Sequence, residues 1–572
     1  MTVTRIAGLA LISLSSLRGA EQDVLEHIQQ DWRQGRLSQA ERLFHQWTAV
    51  RNASALPEPY RADRRPLTRL ATALKVEALS LLSSAAGEER ALLQPLLQRP
   101  ALPLSLVSPS GRFRIHYADS GVDSASPDYI QEAARAFDYA YEVEINQLGF
   151  APPPADYGVD GPEYDVYVQQ FGDYGATTPE QEVPETPQPD YTGWMTMDND
   201  FTHTPTKGLD AMRVTAAHEF FHLVQFGYRC YHTTERPSAY FYEATATLME
   251  DLVYPEVNDY FHYLPRFFKN PELSFIHFDG THEYGLSIFF HMLKKKFTPA
   301  LLPSIWEQMK GADPMEAVNS ALLPLGSNFN NELAQFAIWN CYTGSRADTV
   351  HFYPEGDQYP EVTVSQALDF DTQLTLNGSL ASLGCNYLRI HPQTPGNRLV
   401  ITPTFSDPYH ALCGYAYDIR QQHSQEVTAG HVQQSVATVA GMSDLWILPL
   451  SLRSPYASSQ PMTFQISLDL GEPGALSSKI DLVYPNPYFW EPAKEIVFEY
   501  QISVAAEDVQ MVIMTEQGTF VRSRSLGPCA RGWNSCRWDG RDEKGHPAAT
   551  GIYLCLLKTS SWQEYCKFAL IR

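Results

Sequence analysis

The sequence predicts a multidomain protein with a helical N-terminal segment, an α+β domain and then two all-β, sandwich-like domains. Three observations lead to this prediction. Apolar residues recur at helical spacing over residues 21–104, and strand-like and helix-like stretches alternate over 105–350. Beyond that point, over 351–475 and 476–572, short strand-like runs are separated by turn residues.

Charge and hydropathy exclude two classes of partner. The formal net charge of −24 argues against nucleic acid, because phosphate binding needs a basic face. After the N-terminus, no run reaches the ~18–20 apolar residues of a membrane-spanning helix. The sequence therefore predicts an acidic protein that neither binds nucleic acid nor spans a membrane.

Residues 1–20, MTVTRIAGLALISLSSLRGA, have the pattern of a secretory signal peptide. Arg5 precedes a short apolar run, and small residues follow at Gly19-Ala20. Arg18 departs from the pattern, since a small residue is preferred just before cleavage. We expect export to a secreted or cell-surface location; a buried N-terminal helix is the alternative.

The segment 21–104 is predicted to be a helical pro-segment or prefix domain. Val24, Ile28 and Trp32 follow helical spacing, and the apolar residues of LTRLATALKVEALSLL follow the same spacing. No residue of this segment is predicted to take part in chemistry.

In the α+β domain, GRFRIHYADSG and YDVYVQQFG are predicted strands, with a helix between them. Residues 178–190, rich in Pro and Glu, are predicted to be a loop. YTGWMTMDNDF follows as a strand, and further helices extend to about residue 345.

The strongest chemical signal is His218-Glu219-Phe220-Phe221-His222 in a helix-prone stretch. Histidines at i and i+4 lie on one helix face, so both imidazoles can reach one Zn2+ ion. Glu219 lies beside them and can act as the general base on a metal-bound water. The alternative is a pair of buried helix histidines with an incidental glutamate.

A second predicted helix, SAYFYEATATLMEDLVYP, supplies the third ligand. A turn between the two helices would bring Glu243 back to the histidines, which completes the three-ligand set of a catalytic zinc site. Glu250, seven positions later on the same face, can accept the free N–H of a zinc-bound histidine. Asp251 is a weaker candidate, and a solvated helix end is the alternative for both.

HExxH followed about 20 residues later by a helical Glu-x-x-Ala resembles the gluzincins, which include thermolysin and the zinc aminopeptidases. The resemblance implies a zincin-like catalytic fold, with Glu243 as the third ligand. It also implies a tyrosine that stabilises the oxyanion, for which Tyr284 in HEYGLSIFF is the matching residue, although the spacing to Gly285 departs from the family motif. His262 and His282 are reserve candidates.

The gluzincin aminopeptidases carry a Gly-x-Met-Glu-Asn motif that grips the substrate amine. The corresponding stretch here, GWMTMDND, lacks it, which favours an endopeptidase unless Asp198 or Asp200 replaces the anchor. An edge strand at this place could still align a peptide by main-chain pairing. For Asp198-Asn199-Asp200 the alternatives are a turn or a loop that binds structural Ca2+, although no clear calcium motif is present.

A closer resemblance covers about residues 105–345. YDVYV, MDNDF, AAHEFFHLVQFGY and EYGLSIFF look like a group of largely uncharacterised secreted bacterial metalloproteases. The likeness implies a catalytic domain that acts on a peptide or protein substrate, and it leaves the substrate open.

The C-terminal residues resemble the FlgD-type immunoglobulin-like domain and the sorting domains of type IX secretion cargo. Tyr484-Pro485-Asn486-Pro487, Trp538-Asp539-Gly540 and Gly551-Ile552-Tyr553 carry this likeness. It implies a partner in the export machinery; a plain accessory sandwich is the alternative.

The eight cysteines follow no metal-binding spacing. In an exported chain Cys555 and Cys566 could bridge a hairpin, and Cys529 and Cys536 could close a loop; buried free thiols are the alternative.

Taken together, the sequence predicts an exported zinc metallopeptidase. Two other readings stay open: a surface binding or adhesion protein with a non-catalytic zinc site, and a zinc aminopeptidase.

Overall fold

The computed structural model describes residues 23–62, 69–184, 186–230, 238–370, 373–392, 398–407, 410–417, 424–429, 434–437, 445–456, 460–471, 478–484, 488–490, 495–503, 508–529 and 532–572. The predicted signal peptide, residues 1–20, lies outside these residues. So do residues 485–487 of the predicted Tyr-Pro-Asn-Pro motif.

The N-terminal unit consists of short helices around a small apolar core. The four helices are α1 (Asp23–Arg33), α2 (Gln39–Asn52), α3 (Ala71–Leu82) and α4 (Gly87–Leu93). Leu43, Leu74 and Leu93 meet in their common core. Ser38 and Glu41 form a capping box that starts α2, so two backbone N–H groups at its N-terminus are satisfied.

The α+β domain is built on a mixed five-stranded sheet. Its strands are β1 (Leu104–Val107), β2 (Phe113–Tyr117), β3 (Tyr164–Gln169), β4 (Gly175–Glu182) and β5 (Tyr191–Asp198). They lie in the order β1-β2-β3-β5-β4, in which β2, β3 and β5 are parallel and the two edge strands are antiparallel to their neighbours. The edge strand β4 borders the helix that carries the two histidines.

Two expectations about this sheet are wrong. The predicted loop 178–190 begins as strand β4, which runs to Glu182. Pro179 is tolerated there because β4 is an edge strand whose register with β5 shifts between Pro179 and Glu182. The predicted edge strand around residues 193–198, in contrast, is the inner strand β5, paired on both sides.

Helices α5 (Pro127–Tyr141) and α6 (Gly208–Tyr228) pack on the sheet, and α7 (Ala239–Val253) packs against α6; the three helices form the main core with the sheet. Helix α6 is buried on nearly all sides, which explains its apolar, proline-free sequence. Smaller helices complete the domain: α8 (Leu264–Lys269), α9 (His282–Gly285), α10 (Ser287–Lys296), α11 (Leu301–Met309), α12 (Pro314–Leu322) and α13 (Phe329–Trp339).

The next unit has two sheets packed around one apolar core. One sheet has the order β11-β10-β13-β8-β6 and the other β12-β9-β14-β7. The strands are β6 (Gln366–Phe370), β7 (Gln373–Leu380), β8 (Leu388–Pro392), β9 (Arg398–Phe405), β10 (Ala411–Tyr417), β11 (Ser424–Ala429), β12 (Gln434–Ala437), β13 (Leu445–Ser451) and β14 (Met462–Gly471). Trp446 and Leu448 of β13 join the core of the α+β domain, so these two units pack together.

The C-terminal unit is also made of two sheets, ordered β15-β17-β20 and β16-β22-β21-β18-β19. Its strands are β15 (Lys479–Tyr484), β16 (Tyr488–Phe489), β17 (Ile496–Ile502), β18 (Gln510–Thr515), β19 (Phe520–Ser525), β20 (Gly532–Trp538), β21 (Gly551–Lys558) and β22 (Gln563–Ile571). Trp538 and Phe568 pack in its core. The expectation of a multidomain chain with helices and sheets that ends in a β-rich domain is confirmed.

Cys555 and Cys566 are direct neighbours across β21 and β22, the arrangement expected for a hairpin bridge. The structure describes all eight cysteines, and none of them is in a disulfide. None of the described helices is long and apolar enough to cross a membrane.

Candidate metal centre

Helices α6 and α7 bring three of the predicted residues together. His218 and His222 lie one turn apart on α6 and face Glu243 on α7. Oε2 of Glu243 is 3.2 Å from Nε2 of His218 and 3.4 Å from Nε2 of His222. All three side chains are buried, with at most 3% of their surface exposed.

The other ring nitrogens are held by acceptors. Nδ1 of His218 lies 2.7 Å from Oε1 of Glu250, and Nδ1 of His222 lies 2.7 Å from Oε1 of Gln225. Because a carboxylate and an amide oxygen can only accept here, both Nδ1 atoms carry a proton. Both Nε2 atoms face Glu243 and are the ring atoms left for a metal ion.

This donor set fits zinc. One ligand atom from each of His218, His222 and Glu243 lies within 4.8 Å of the others. The buried Nε2 atom of His222 has no hydrogen-bond partner among the described residues. Leaving such an atom unpaired costs free energy of folding, which a bound ligand would recover. Two imidazole nitrogens and one carboxylate are a three-ligand zinc set with one open position, whereas Ca2+ and Mg2+ take oxygen ligands.

The carboxylates and imidazoles of the cluster shift each other's pKa values. Burial lowers the pKa of His218, but the carboxylates of Glu243 and Glu250 outweigh burial and raise it to about 9. Burial raises the pKa of Glu243, but the two imidazoles lower it by more, so the pKa of Glu243 lies well below its usual value. Glu243 is therefore an anion, the form that binds a metal ion.

Glu219 lies beside this cluster, against strand β4. Its Oε2 is 2.7 Å from Oγ1 of Thr177, and the same hydroxyl lies 2.9 Å from the backbone oxygen of Glu219. A Cβ atom on Gly175 would come within 2.8 Å of Cγ and 2.9 Å of Oε1 of Glu219. The same Cβ would lie 2.7 Å from the backbone oxygen of Thr196, so glycine at position 175 leaves room for both the neighbouring strand and Glu219.

Tyr284, at α9, reaches the cluster from a third direction. Its ring stacks near His218 at a centroid distance of 6.1 Å and on Tyr263 at 4.8 Å. Its hydroxyl donates a hydrogen bond to the backbone carbonyl of Arg69. Burial raises the pKa of Tyr284 well above its usual value, so the phenol is a neutral hydrogen-bond donor.

The structure places the reserve candidates away from the cluster. Asp251 faces His291, with Oδ2 and Nδ1 3.7 Å apart. His282 packs against Phe267, and His262 ends a short 3-10 turn. None of these three contributes to the three-ligand set.

The Asp198-Asn199-Asp200 stretch is a hydrogen-bonded turn. Asp198 accepts bonds from the backbone N–H groups of Phe171, Asp200 and Phe201. Asp200 accepts from the backbone and hydroxyl of Thr202. One ligand atom from each of Asp198, Asp200 and His203 also lies within 4.8 Å of the others, so this turn has metal-ligand geometry as well.

A further group with metal-ligand geometry consists of His116, Asp160 and Asp165. This group faces the positively charged side chain of Arg99. Arg99 pairs with Asp165 and lies 3.8 Å from Asp160. The guanidinium already balances this acidic group.

Sequence reasoning missed two residues at the site. Gln225 follows His222 by one turn, and a lone amide in an apolar helix is the signal that could have revealed it. Arg69 comes from the N-terminal segment, for which no chemistry was predicted, and its Nη1 lies 2.8 Å from Oε1 of Glu250. The sequence did not point to this contact, which makes Arg69 part of the hydrogen-bond network around His218.

Comparison with known families identifies two parts of the chain. Residues 127–370 match a family of unknown function, DUF6055, and residues 487–561 match the FlgD Ig-like domain. The predicted likeness of the C-terminal residues to the FlgD-type immunoglobulin-like domain is thereby confirmed. No curated protein matches the sequence significantly.

Solved structures match only parts of the chain. FlgD from P. aeruginosa is 22% identical over 15% of this chain and 69% of its own, with a TM-score of 0.14. PorZ of Porphyromonas gingivalis, described as a bacterial surface component of the type IX secretion system, is 20% identical over 20% of this chain and 14% of its own, with a TM-score of 0.13. Latent PorU from the same organism is 14% identical over 34% of this chain and 20% of its own, with a TM-score of 0.17. At these TM-scores the likenesses carry no argument about the whole chain.

Proposed function

We propose that this chain is an exported zinc-dependent peptidase, with an endopeptidase favoured. The observation that carries the proposal is the convergence of two imidazole Nε2 atoms on Glu243, each imidazole being fixed through its Nδ1 by a separate acceptor. A buried imidazole needs an acceptor for its N–H in any site. The approach of both Nε2 atoms to one carboxylate supports a metal site, in which such acceptors orient the ligating rings.

Zinc held by His218, His222 and Glu243 would lower the pKa of a bound water toward neutrality and polarise a substrate carbonyl. Glu219, next to His218 in sequence, takes a proton from the attacking water and passes it to the leaving amine. The Tyr284 hydroxyl donates to the carbonyl oxygen as that oxygen gains negative charge.

The sheet edge beside the site suits a peptide substrate. Strand β4 pairs with β5 on one side only, so its other edge can pair with an extended peptide. Asp198 and Asp200, which could have gripped a substrate amine, are hydrogen-bonded within their own turn. A site without that anchor favours internal bonds over the terminal one.

We further propose that residues 105–350 form a gluzincin-like catalytic domain. Support comes from the mixed sheet with an antiparallel edge strand and from the two adjacent helices that supply HExxH and Glu243. Residues 351–475 and 476–572 would then be accessory domains.

Export to the surface or the medium is proposed from the N-terminal signal pattern and the FlgD-like domain. A partner in the export machinery would then contact the C-terminal domain.

The second candidate is a surface binding or adhesion protein that holds zinc without turnover. The observation in its favour is the burial of the whole site, since a peptide cannot reach side chains that are almost fully covered. Glu219 argues against it, because a structural zinc site has no use for a base.

The N-terminal unit covers the site, so the chain is first cut in the exposed turn 83–86 and the N-terminal fragment is removed. The test then compares zinc-loaded wild type with zinc-loaded Glu219→Gln, both prepared in this way. We expect cleavage of an unstructured protein by wild type and loss of cleavage, with zinc retained, in Glu219→Gln. Equal cleavage of amine-blocked and free-amine peptides would separate an endopeptidase from an aminopeptidase. Zinc binding without any cleavage by cut wild type would contradict the proposal and favour the binding protein.

A further inference from the structure

Helix α3 of the N-terminal unit lies over the candidate site. Its side chains Leu74 and Ala78 belong to the N-terminal core, while Val76 and Leu79 pack against the core of the α+β domain. The helix thus has two buried faces and joins the two units.

The side chain of Thr72, on the first turn of α3, occupies the outer edge of β4. Its Oγ1 accepts a hydrogen bond of 2.9 Å from the backbone N–H of Thr177. That N–H points away from β5, and a peptide added to this edge would need it. Oγ1 of Thr72 also lies 3.5 Å from Oε2 of Glu219, so it stands between the sheet edge and the general base.

The backbone carbonyl of Arg69 takes the place of a substrate carbonyl. It accepts the hydrogen bond of the Tyr284 hydroxyl, which is the group assigned to the oxyanion in the proposed reaction. A donor with one hydrogen cannot serve both carbonyls, so Arg69 and a substrate exclude each other at this point.

The Arg69 side chain fills a pocket of carboxylates and aromatic rings. Its Nη1 lies 2.8 Å from Oε1 of Glu250 and 3.6 Å from Oδ2 of Asp259. Its guanidinium lies over the rings of Tyr174, at 4.4 Å, and Tyr284, at 5.2 Å. Paired carboxylates and ring faces are the surroundings that suit a buried guanidinium.

We propose that residues 69–72 occupy the substrate cleft in the manner of a bound peptide, with Arg69 in a pocket for a basic side chain. The site is closed until this segment leaves. This inference rests on the proposed peptidase function. It adds that the N-terminal segment inhibits the enzyme and that the substrate carries a basic side chain.

Burial and connectivity support the inference. With α3 in place Arg69 is 6% exposed and the site beneath it is covered, as a latent enzyme requires. Because the segment is part of the same chain, its effective concentration at the cleft is high and a free substrate competes poorly. The residues after α3, in the turn 83–86, are mostly exposed, so a protease can reach the connection.

The first experiment replaces residues 83–86 with the recognition sequence of a site-specific protease. The zinc-loaded chain is assayed before and after cutting, with the N-terminal fragment removed by gel filtration. We expect peptide cleavage to rise by about 100-fold, the scale of a lost intramolecular effective concentration. A synthetic peptide of residues 69–82 added back should inhibit in a saturable way.

Hydrogen exchange provides a readout that does not need the metal. In zinc-free cut chain, removal of the fragment should speed exchange at the Thr177 amide, and the added peptide should slow it again. An intact chain that cleaves as fast as the cut chain would overturn the inference while leaving the proposed function standing. Zinc-loaded chains that fail to cleave both when intact and after cutting with removal of the N-terminal fragment would contradict the proposed function itself.

A variant tests the same point without cutting. Thr72→Arg in the full chain puts a long side chain where only a small one fits against β4, so it should free the site and raise cleavage. Ala91→Arg, which adds the same side chain at an exposed position of α4, is the matched control and should stay at the basal rate. Equal rates for the two variants, both folded by circular dichroism, would count against the inference.

The pocket is tested with matched peptides that differ only in arginine against citrulline, its neutral isostere. We expect kcat/KM of the cut chain to fall by roughly 30-fold or more with citrulline, because a buried carboxylate then loses its partner. Asp259→Asn should reduce the difference in kcat/KM between the arginine and citrulline peptides, because it removes one of the carboxylates that face the guanidinium. Equal kcat/KM for both peptides would show that the pocket does not select a basic residue.

Discussion

Nδ1 of His218 lies 2.7 Å from Oε1 of Glu250, and the two residues come from different helices, α6 and α7. The same oxygen accepts a hydrogen bond from Arg69 at 2.8 Å. One carboxylate therefore holds a candidate zinc ligand and also the segment that covers the site. The metal centre and its cover are coupled through Glu250.

Glu250→Ala should weaken zinc binding about 10-fold or more, the usual effect of losing the acceptor that orients a ligating histidine. Competition with a chelator measures the affinity. Asp251→Ala is the matched control, since Asp251 faces His291 and not the cluster. Equal affinities of the two variants would contradict the role given to Glu250.

Gly175→Ala in the cut chain, freed of the N-terminal fragment, should lower kcat while zinc stays bound. The new Cβ would meet the backbone oxygen of Thr196 and the side chain of Glu219, and the glutamate side chain is the group that can move away. A misplaced general base costs on the order of 100-fold in rate. Gly311→Ala is the control, since a Cβ there meets nothing within 4 Å. Unchanged kcat in Gly175→Ala would show that the position of Glu219 does not matter for turnover.

Tyr284→Phe in the cut chain should reduce kcat by roughly 100-fold with little change in KM, as expected for the loss of one oxyanion donor. Tyr263→Phe removes a hydroxyl from the ring stacked on Tyr284 and should have a smaller effect on kcat. Steady-state kinetics of the two variants separates them. A similar loss in both would mean that ring packing, and not the hydroxyl of Tyr284, sets the rate.

Docking of α3 should depend on pH through Lys75. Burial lowers the pKa of Lys75 to about 7, Arg51 lowers it as well and Glu219 raises it, whereas the released side chain regains a pKa near 10.5. Between these values the released state binds more protons, so docking strengthens as pH rises from about 7 to 10.5.

The fraction of N-terminal fragment bound to the cut chain, measured across this range, checks the sign. Lys75→Met should flatten the dependence. Asp173, whose pKa is raised by burial to about 7, titrates at the lower end of the range and is unchanged in the variant. Binding that weakens with rising pH in wild type, or the same slope in Lys75→Met, would contradict the assignment to Lys75.

Local spacing in the sequence predicted which residues of the site would meet. The intervals of four between His218 and His222 and of seven between Glu243 and Glu250 place each pair on one helix face, and the structure brings these four side chains together. Such intervals show which side chains of a single helix lie on the same face.

Features that depend on distant contacts were not predictable in this way. Arg69 and Glu250 are 181 positions apart, and no periodicity links them. Strand β4 was missed because Pro179 weakens the strand pattern, and its place at the sheet edge follows only from the pairing of the other strands. Gln225 could have been noticed, since it is a polar residue one turn after His222 in an apolar helix.

Elemental analysis of the purified chain tests whether His218, His222 and Glu243 bind zinc, with Glu243→Gln and the exposed-site control Glu256→Gln measured beside wild type. We expect one zinc per chain in wild type and in Glu256→Gln, and loss or marked weakening of zinc binding in Glu243→Gln. Wild type that takes up no zinc, or Glu243→Gln that holds zinc as tightly as wild type, would contradict the proposed metal site.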